Sequence, residues 1–143
     1  MKPVTNRGQL SGILLKGFKS IEECHLELGA LNVLVGCNGA GKSNFISFFR
    51  MIQHILSENL QIFVSRQGGP DALLHFGRKN TESLMAILYF DYNGYKITLS
   101  PTNDNRMMFE KEAFCWKTRS DFPLGSGHFE TQSHKYKNKS SNP

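Results

Sequence analysis

Eight consecutive residues have types and spacing suited to one chemistry, the holding of phosphate. Gly36-Cys37-Asn38-Gly39-Ala40-Gly41-Lys42-Ser43 fits the pattern G-x-x-x-x-G-K-[ST]. Glycines let a backbone turn tightly and bring its N–H groups to phosphate oxygens, where a side chain would collide. Lys42 is placed to bridge β- and γ-phosphates as a point charge, and the Ser43 hydroxyl to complete a Mg²⁺ shell. A helix that begins at this point directs its positive N-terminal end at the anion. The chemistry predicted is nucleotide binding together with Mg²⁺.

The flanking residues predict the elements that would position such a loop. Upstream, Leu31, Val33, Leu34 and Val35 form a short apolar run suited to a buried parallel strand. Downstream, Phe45, Phe48, Phe49, Ile52, Ile55 and Leu56 recur at helical spacing and predict an amphipathic helix from Lys42 to about Ser57. Strand, glycine loop, helix is the arrangement the motif requires, and it predicts an α/β fold with a strand–P-loop–helix core.

Before the loop, Ile13, Leu14, Leu15 and Phe18 read as a first strand, and residues 25–28 alternate as a second. The loop strand is then the third. After the long helix, residues 59–66 predict a shorter one, bounded by Gly68-Gly69-Pro70, and Asp71 is available to cap a single turn over 71–75. Residues 84–91 and 95–100 alternate apolar and polar on either side of Asn93-Gly94, which predicts a hairpin turning at Asn-Gly. A third antiparallel strand follows over 106–114, giving an antiparallel segment over about 83–114. Residues 1–9 read as frayed, and the chain beyond Phe122 as unstructured, with 129–143 a basic polar tail.

Composition narrows the class. The chain has 143 residues, 39% hydrophobic, with eleven Phe and a formal net charge of +5, which describes one globular domain. The positive excess permits contact with nucleic acid without requiring it. Three cysteines without a C-x-x-C pair and five histidines without companion ligand spacing predict no zinc site. The first residues lack an apolar leader core and no run reaches ~18 apolar residues, which predicts a cytoplasmic protein.

Hydrolysis needs more than a phosphate cradle, since a second strand normally presents an Asp to the metal and a nearby group orients the attacking water. One stretch imitates the first of these, Ile87-Leu88-Tyr89-Phe90-Asp91. Tyr92 follows where an acidic base would stand, and the predicted hairpin folds the strand back at once.

GILLKGFKSIEECHLELGALNVLVGCNGAGKSNFISFF resembles the N-terminus of ABC-class AAA-family ATPases of the SMC/RecF/OLD-like kind. The carriers are an apolar strand, the Gly17-Phe18-Lys19-Ser20 element, the L-N-V-L-V-G run, and Asn38 and Asn44 around the loop. Residues 68–110 and Leu124-Gly125-Ser126-Gly127-His128 resemble a bacterial subgroup of predicted ATPases with an antiparallel β insertion. The likeness extends from about Leu10 to His128. It implies the N-terminal lobe of a P-loop NTPase, in which the backbone of Asn38, Gly39, Ala40 and Gly41 cradles phosphates, Lys42 and Ser43 take phosphate and Mg²⁺, and Lys19 and Ser20 lie near the nucleotide. Members of the class also carry a signature segment, a strand ending Asp-Glu and a switch His, none of which occurs here. The resemblance therefore implies ATP binding without autonomous hydrolysis, a partner chain or lobe that supplies those motifs in an ATP-dependent dimer, and a parent that acts on DNA in repair or defence. Two alternatives stand beside it: a complete small phosphotransferase using Asp91 for Mg²⁺, and a non-catalytic lobe that docks onto a partner.

Overall fold

The computed structural model describes residues 8–117 and 119–136. It is organised by one sheet of β1 (Gly12–Phe18), β2 (Ile21–Glu27), β3 (Leu84–Phe90), β4 (Asn93–Pro101), β5 (Met107–Trp116) and β6 (Phe122–Gly125). The strands lie in the order β2-β1-β3-β4-β5-β6, and each neighbouring pair is antiparallel. Helices α1 (Lys42–Leu56) and α2 (Leu60–Gln67) and the single turn α3 (Pro70–Leu73) lie between β2 and β3.

Alternation along the strands gives the sheet one buried face. Ile13 and Leu15 of β1 stand opposite Leu88 and Ala86 of β3, which stand opposite Tyr95 and Ile97 of β4, and all six are buried. The helices share the core made by this face. Phe45, Phe48, Met51, Ile52 and Ile55, at i, i+3, i+4 spacing, are the apolar stripe that α1 buries. Phe18, at the end of β1, meets Phe48 edge-on with centroids 6.0 Å apart. Each such side chain contributes about 1.5–3 kcal/mol by leaving water.

The predicted α/β core is not what forms. Residues 31–35 belong to no strand, and among the described residues only two strands precede α1. Leu31, Val33 and Val35 are 85%, 76% and 89% exposed. A buried parallel strand needs ladder partners on both edges and cover on both faces, and residues 31–35 pair with neither of the sheet's edge strands, β2 and β6.

Two local expectations also shift. Phe90 pairs with Asn93 and Tyr89 with Gly94, so the hairpin turns at Asp91-Tyr92, with Asp91 at φ +49°, and Asn93-Gly94 lies inside β4. Space explains Gly94: a Cβ there would come within 2.7 Å of the Leu88 carbonyl oxygen and 2.8 Å of Cys115 Sγ. Asp71 does not cap its turn, for the N-cap of α3 is Gly69, and its carboxylate instead accepts from the Arg78 N–H at 2.9 Å and Arg78 Nε at 3.1 Å.

The chain beyond Phe122 is ordered as β6 and a 3₁₀ turn, Ser133–Tyr136, so the expected tail is docked as far as residue 136. Residues 137–143 lie outside the described residues, as does all but the end of the frayed segment 1–9. Two carboxylates fasten this strap. Glu130 accepts from the N–H groups of Leu60 (2.9 Å) and Gln61 (3.2 Å), capping α2, whose own N-cap Asn59 makes no side-chain cap bond. Glu112 of β5, 1% exposed, takes hydrogen bonds from the Tyr95 hydroxyl (2.5 Å), the Thr131 hydroxyl and the Gln132 N–H (2.9 Å), and pairs with His128 Nε2 at 2.8 Å. Among the described residues no helix is long and apolar enough to cross a membrane.

Candidate functional site

The chain runs from the exposed apolar stretch through residues 36–41 into α1. Gly39 and Gly41 have φ of +89° and +91°, a conformation glycine adopts without the Cβ penalty other residues incur. Gly41 is the N-cap of α1. No side chain caps the helix there, and its first turn holds no acidic residue. The Phe45 N–H closes the first helical bond onto the Gly41 oxygen at 2.9 Å, so the N–H groups of Lys42, Ser43 and Asn44 have no intrahelical acceptor. Open N–H groups at the positive end of a 15-residue helix suit an anion.

Asn38, Gly39, Gly41, Lys42, Ser43 and Asn44 line a hollow of about 390 Å³, within the range of small-molecule sites. The loop closes tightly around it: a Cβ on Gly36 would lie 3.1 Å from Ala40 Cβ, and the Ala40 N–H donates to the Cys37 oxygen at 3.2 Å. Lys42 Nζ rests on the carbonyl oxygens of Gly36 (2.5 Å) and Cys37 (2.7 Å). Both acceptors are neutral. They hold the ammonium over the loop and leave its charge for a phosphate to meet.

The predicted pair Lys19 and Ser20 is divided. Ser20 joins the site, for Asn44 Nδ2 donates to its Oγ at 2.7 Å, and that oxygen lies 3.4 Å from where a Gly41 Cβ would stand. Lys19, at φ +50°, turns away and donates to Ser47 Oγ (3.0 Å) and Gln67 Oε1 (2.7 Å). Its burial lowers the ammonium pKa below the ordinary lysine value. Lys19 therefore pins α1 and α2 to the β1–β2 turn. The signal for this clamp was Ser47, a polar residue on the apolar stripe of α1 that is only 8% exposed.

Asp91 is on the wrong end of the sheet. Gly12 pairs with Tyr89, whereas the turn bearing Ser20 lies past Phe18, six residues or about 20 Å further along β1. A metal held at Ser43 is out of reach of Asp91. No cluster of three or more His, Cys, Asp or Glu side chains able to hold a metal occurs among the described residues. At Ser43 the loop offers Mg²⁺ one hydroxyl. That donor set fits an ion which takes its other oxygens from phosphate and water, and it does not fit a metal bound by the protein alone.

No known family model matches the chain, and no curated protein matches it. The functional reading rests on the loop and the helix it opens.

Proposed function

We propose that this chain is an ATP-binding lobe of an SMC/RecF/OLD-like ATPase, which holds Mg·ATP by its phosphates and does not hydrolyse it unaided. The observation that carries the reading is the uncapped N-terminus of α1, with two left-handed glycines before it and the Lys42 ammonium above it. Open N–H groups and an uncancelled cation around one hollow suit a polyphosphate. The absent signature and Asp-Glu strand argue that a partner lobe or chain completes turnover in an ATP-dependent dimer. In the parent, that cycle would serve DNA repair or defence, in the cytoplasm.

One observation favours a docking role for the lobe as well. Leu31, Val33, Leu34 and Val35, directly before the loop, all stand exposed, and a contiguous apolar run in water marks an interaction surface. A partner that covers residues 31–35 would sit beside the bound nucleotide.

Calorimetric titration with Mg·ATP tests the reading. The wild-type chain binds saturably, and Lys42→Ala binds about 10- to 100-fold more weakly, the loss expected for hydrogen bonds to a charged group. Neither releases phosphate. Absence of binding by the wild type would remove the site, and phosphate release at ordinary ATPase rates, abolished in Lys42→Ala, would remove the claim of a non-hydrolysing lobe.

A further inference from the structure

Between α3 and β3 the chain holds an aromatic ring out in water. Phe76 is 77% exposed and adopts φ +55°, a strained conformation for a bulky residue. Such strain persists where the surroundings over-determine it, and it marks functional positions. The surroundings here do so. Asn80 Nδ2 donates to the Phe76 oxygen at 2.8 Å, and the Gly77 and Thr81 N–H groups close onto Leu74 and Gly77 at 3.0 Å each. The His75 N–H reaches the Gly17 oxygen of β1 at 3.1 Å, and the His75 ring backs Phe76 with centroids 4.3 Å apart. The ring is presented by a built platform.

Beside it runs an open groove of about 590 Å³, whose lining includes Lys19, Asp71, Leu74, Arg78 and Lys79. Asp71 and Arg78 form a salt bridge at 3.1 Å and cancel. Two cations remain: Lys79, which is exposed, and Lys19, whose ammonium rests on neutral oxygens. An exposed aromatic face next to uncancelled positive charge matches a ligand with planar rings along an anionic backbone.

We propose that this face binds single-stranded nucleic acid, with Phe76 stacking on an unpaired base and Lys79 and Lys19 attracting the phosphates. Stacking on an aromatic tolerates any base, because every base has a π-face. A duplex keeps its base faces occupied, so the geometry selects single strands. The phosphate loop is a separate site, so this inference stands or falls apart from the proposed ATP binding.

The test is fluorescence anisotropy at low salt with a labelled oligothymidine of about 12 nucleotides, within the roughly 4–16 that single-strand-binding folds cover, and with a duplex of equal length. The wild type prefers the single strand. Phe76→Ala and Phe76→Asn, the second able to hold a left-handed backbone, each weaken binding about ten-fold, as loss of one base–aromatic stack requires. Phe76→Trp retains binding and its fluorescence is quenched. Lys79→Ala lowers the slope of log K against log salt by about 0.7. Lys42→Ala binds the oligomer like wild type. No binding by the wild type, unchanged binding in both Phe76→Ala and Phe76→Asn, or preference for the duplex would overturn the proposal. Displacement of the oligomer by ATP in Lys42→Ala would make the groove a mononucleotide pocket and overturn it too.

Discussion

Glu112 is the residue whose removal tests the folded architecture most directly. It sits in the sheet with its side chain fully buried, and three protein donors plus His128 converge on its two oxygens. Three of those four groups belong to the strap over 128–132, so the carboxylate fastens the strap to β4 and β5. Glu112→Ala leaves buried donors without an acceptor. Each such donor costs about 1–3 kcal/mol. Water entering the vacated space recovers part of that, and the sum expected is about 3–5 kcal/mol, the range for breaking a buried charged cluster. Tyr95→Phe removes one donor of the set and costs about 1 kcal/mol.

Total stability for a domain of this size is about 5–15 kcal/mol, so Glu112→Ala brings the chain near its threshold. Urea unfolding followed at Trp116 and by far-ultraviolet circular dichroism measures the loss. Hydrogen exchange locates it, for amides of 128–132 exchange faster in the variant than those of β1 and β3. A Glu112→Ala stability within about 0.5 kcal/mol of wild type, the scatter of surface substitutions, would refute the clasp. A pH dependence follows from Tyr95. Burial first, then the Glu112 charge and hydrogen bond, raise its phenol pKa above the ordinary 10.0. A group whose folded pKa is raised contributes stability that is whole below its unfolded pKa and is lost as pH climbs through the folded one. Stability therefore declines above about pH 10, the unfolded tyrosine value, and the decline is shallower in Tyr95→Phe.

Two further outcomes bear on the turn and on the exposed run. Gly94→Ala costs about 1–3 kcal/mol through overpacking against Leu88 and Cys115, read as a lower urea midpoint; an unchanged midpoint would mean the hairpin turns elsewhere. Val33→Lys shifts stability by less than about 0.5 kcal/mol, because 76% of Val33 already faces water, and lowers self-association in light scattering; a large loss of stability would show that residues 31–35 are packed.

Where physics is local, the sequence was legible. The 3.6-residue spacing from Phe45 to Ile55 located α1, although Met51 joins the buried stripe and Leu56, expected in it, stands 48% exposed. The alternation over 84–100 located β3 and β4, though Asn-Gly pointed to the wrong turn because Gly94 answers a steric demand from across the sheet. The strap was illegible for a related reason. Its polar residues Glu130, Thr131 and Gln132 look like solvated tail, and become structural only through Leu60, Gln61 and Glu112, which lie far away in sequence. At the site, Asn38, Gly39 and Gly41 to Asn44 line one hollow and Ser20 reaches it through Asn44, whereas Lys19 answers Ser47 and Gln67, partners that no motif names.

Residues 31–35 carry the same lesson in reverse. Their composition is that of a buried strand, yet burial is conferred by neighbours, and the described sheet supplies none. An apolar run left in water is costly at about 25 cal/mol per Å², and nothing among the described residues recovers that cost. The run also leads directly into Gly36, whose carbonyl anchors the Lys42 ammonium. On the proposed reading, a partner that covers the run also fixes the first residue of the phosphate loop. Binding of that partner and of nucleotide would then be linked in free energy, each raising the affinity for the other by the same factor.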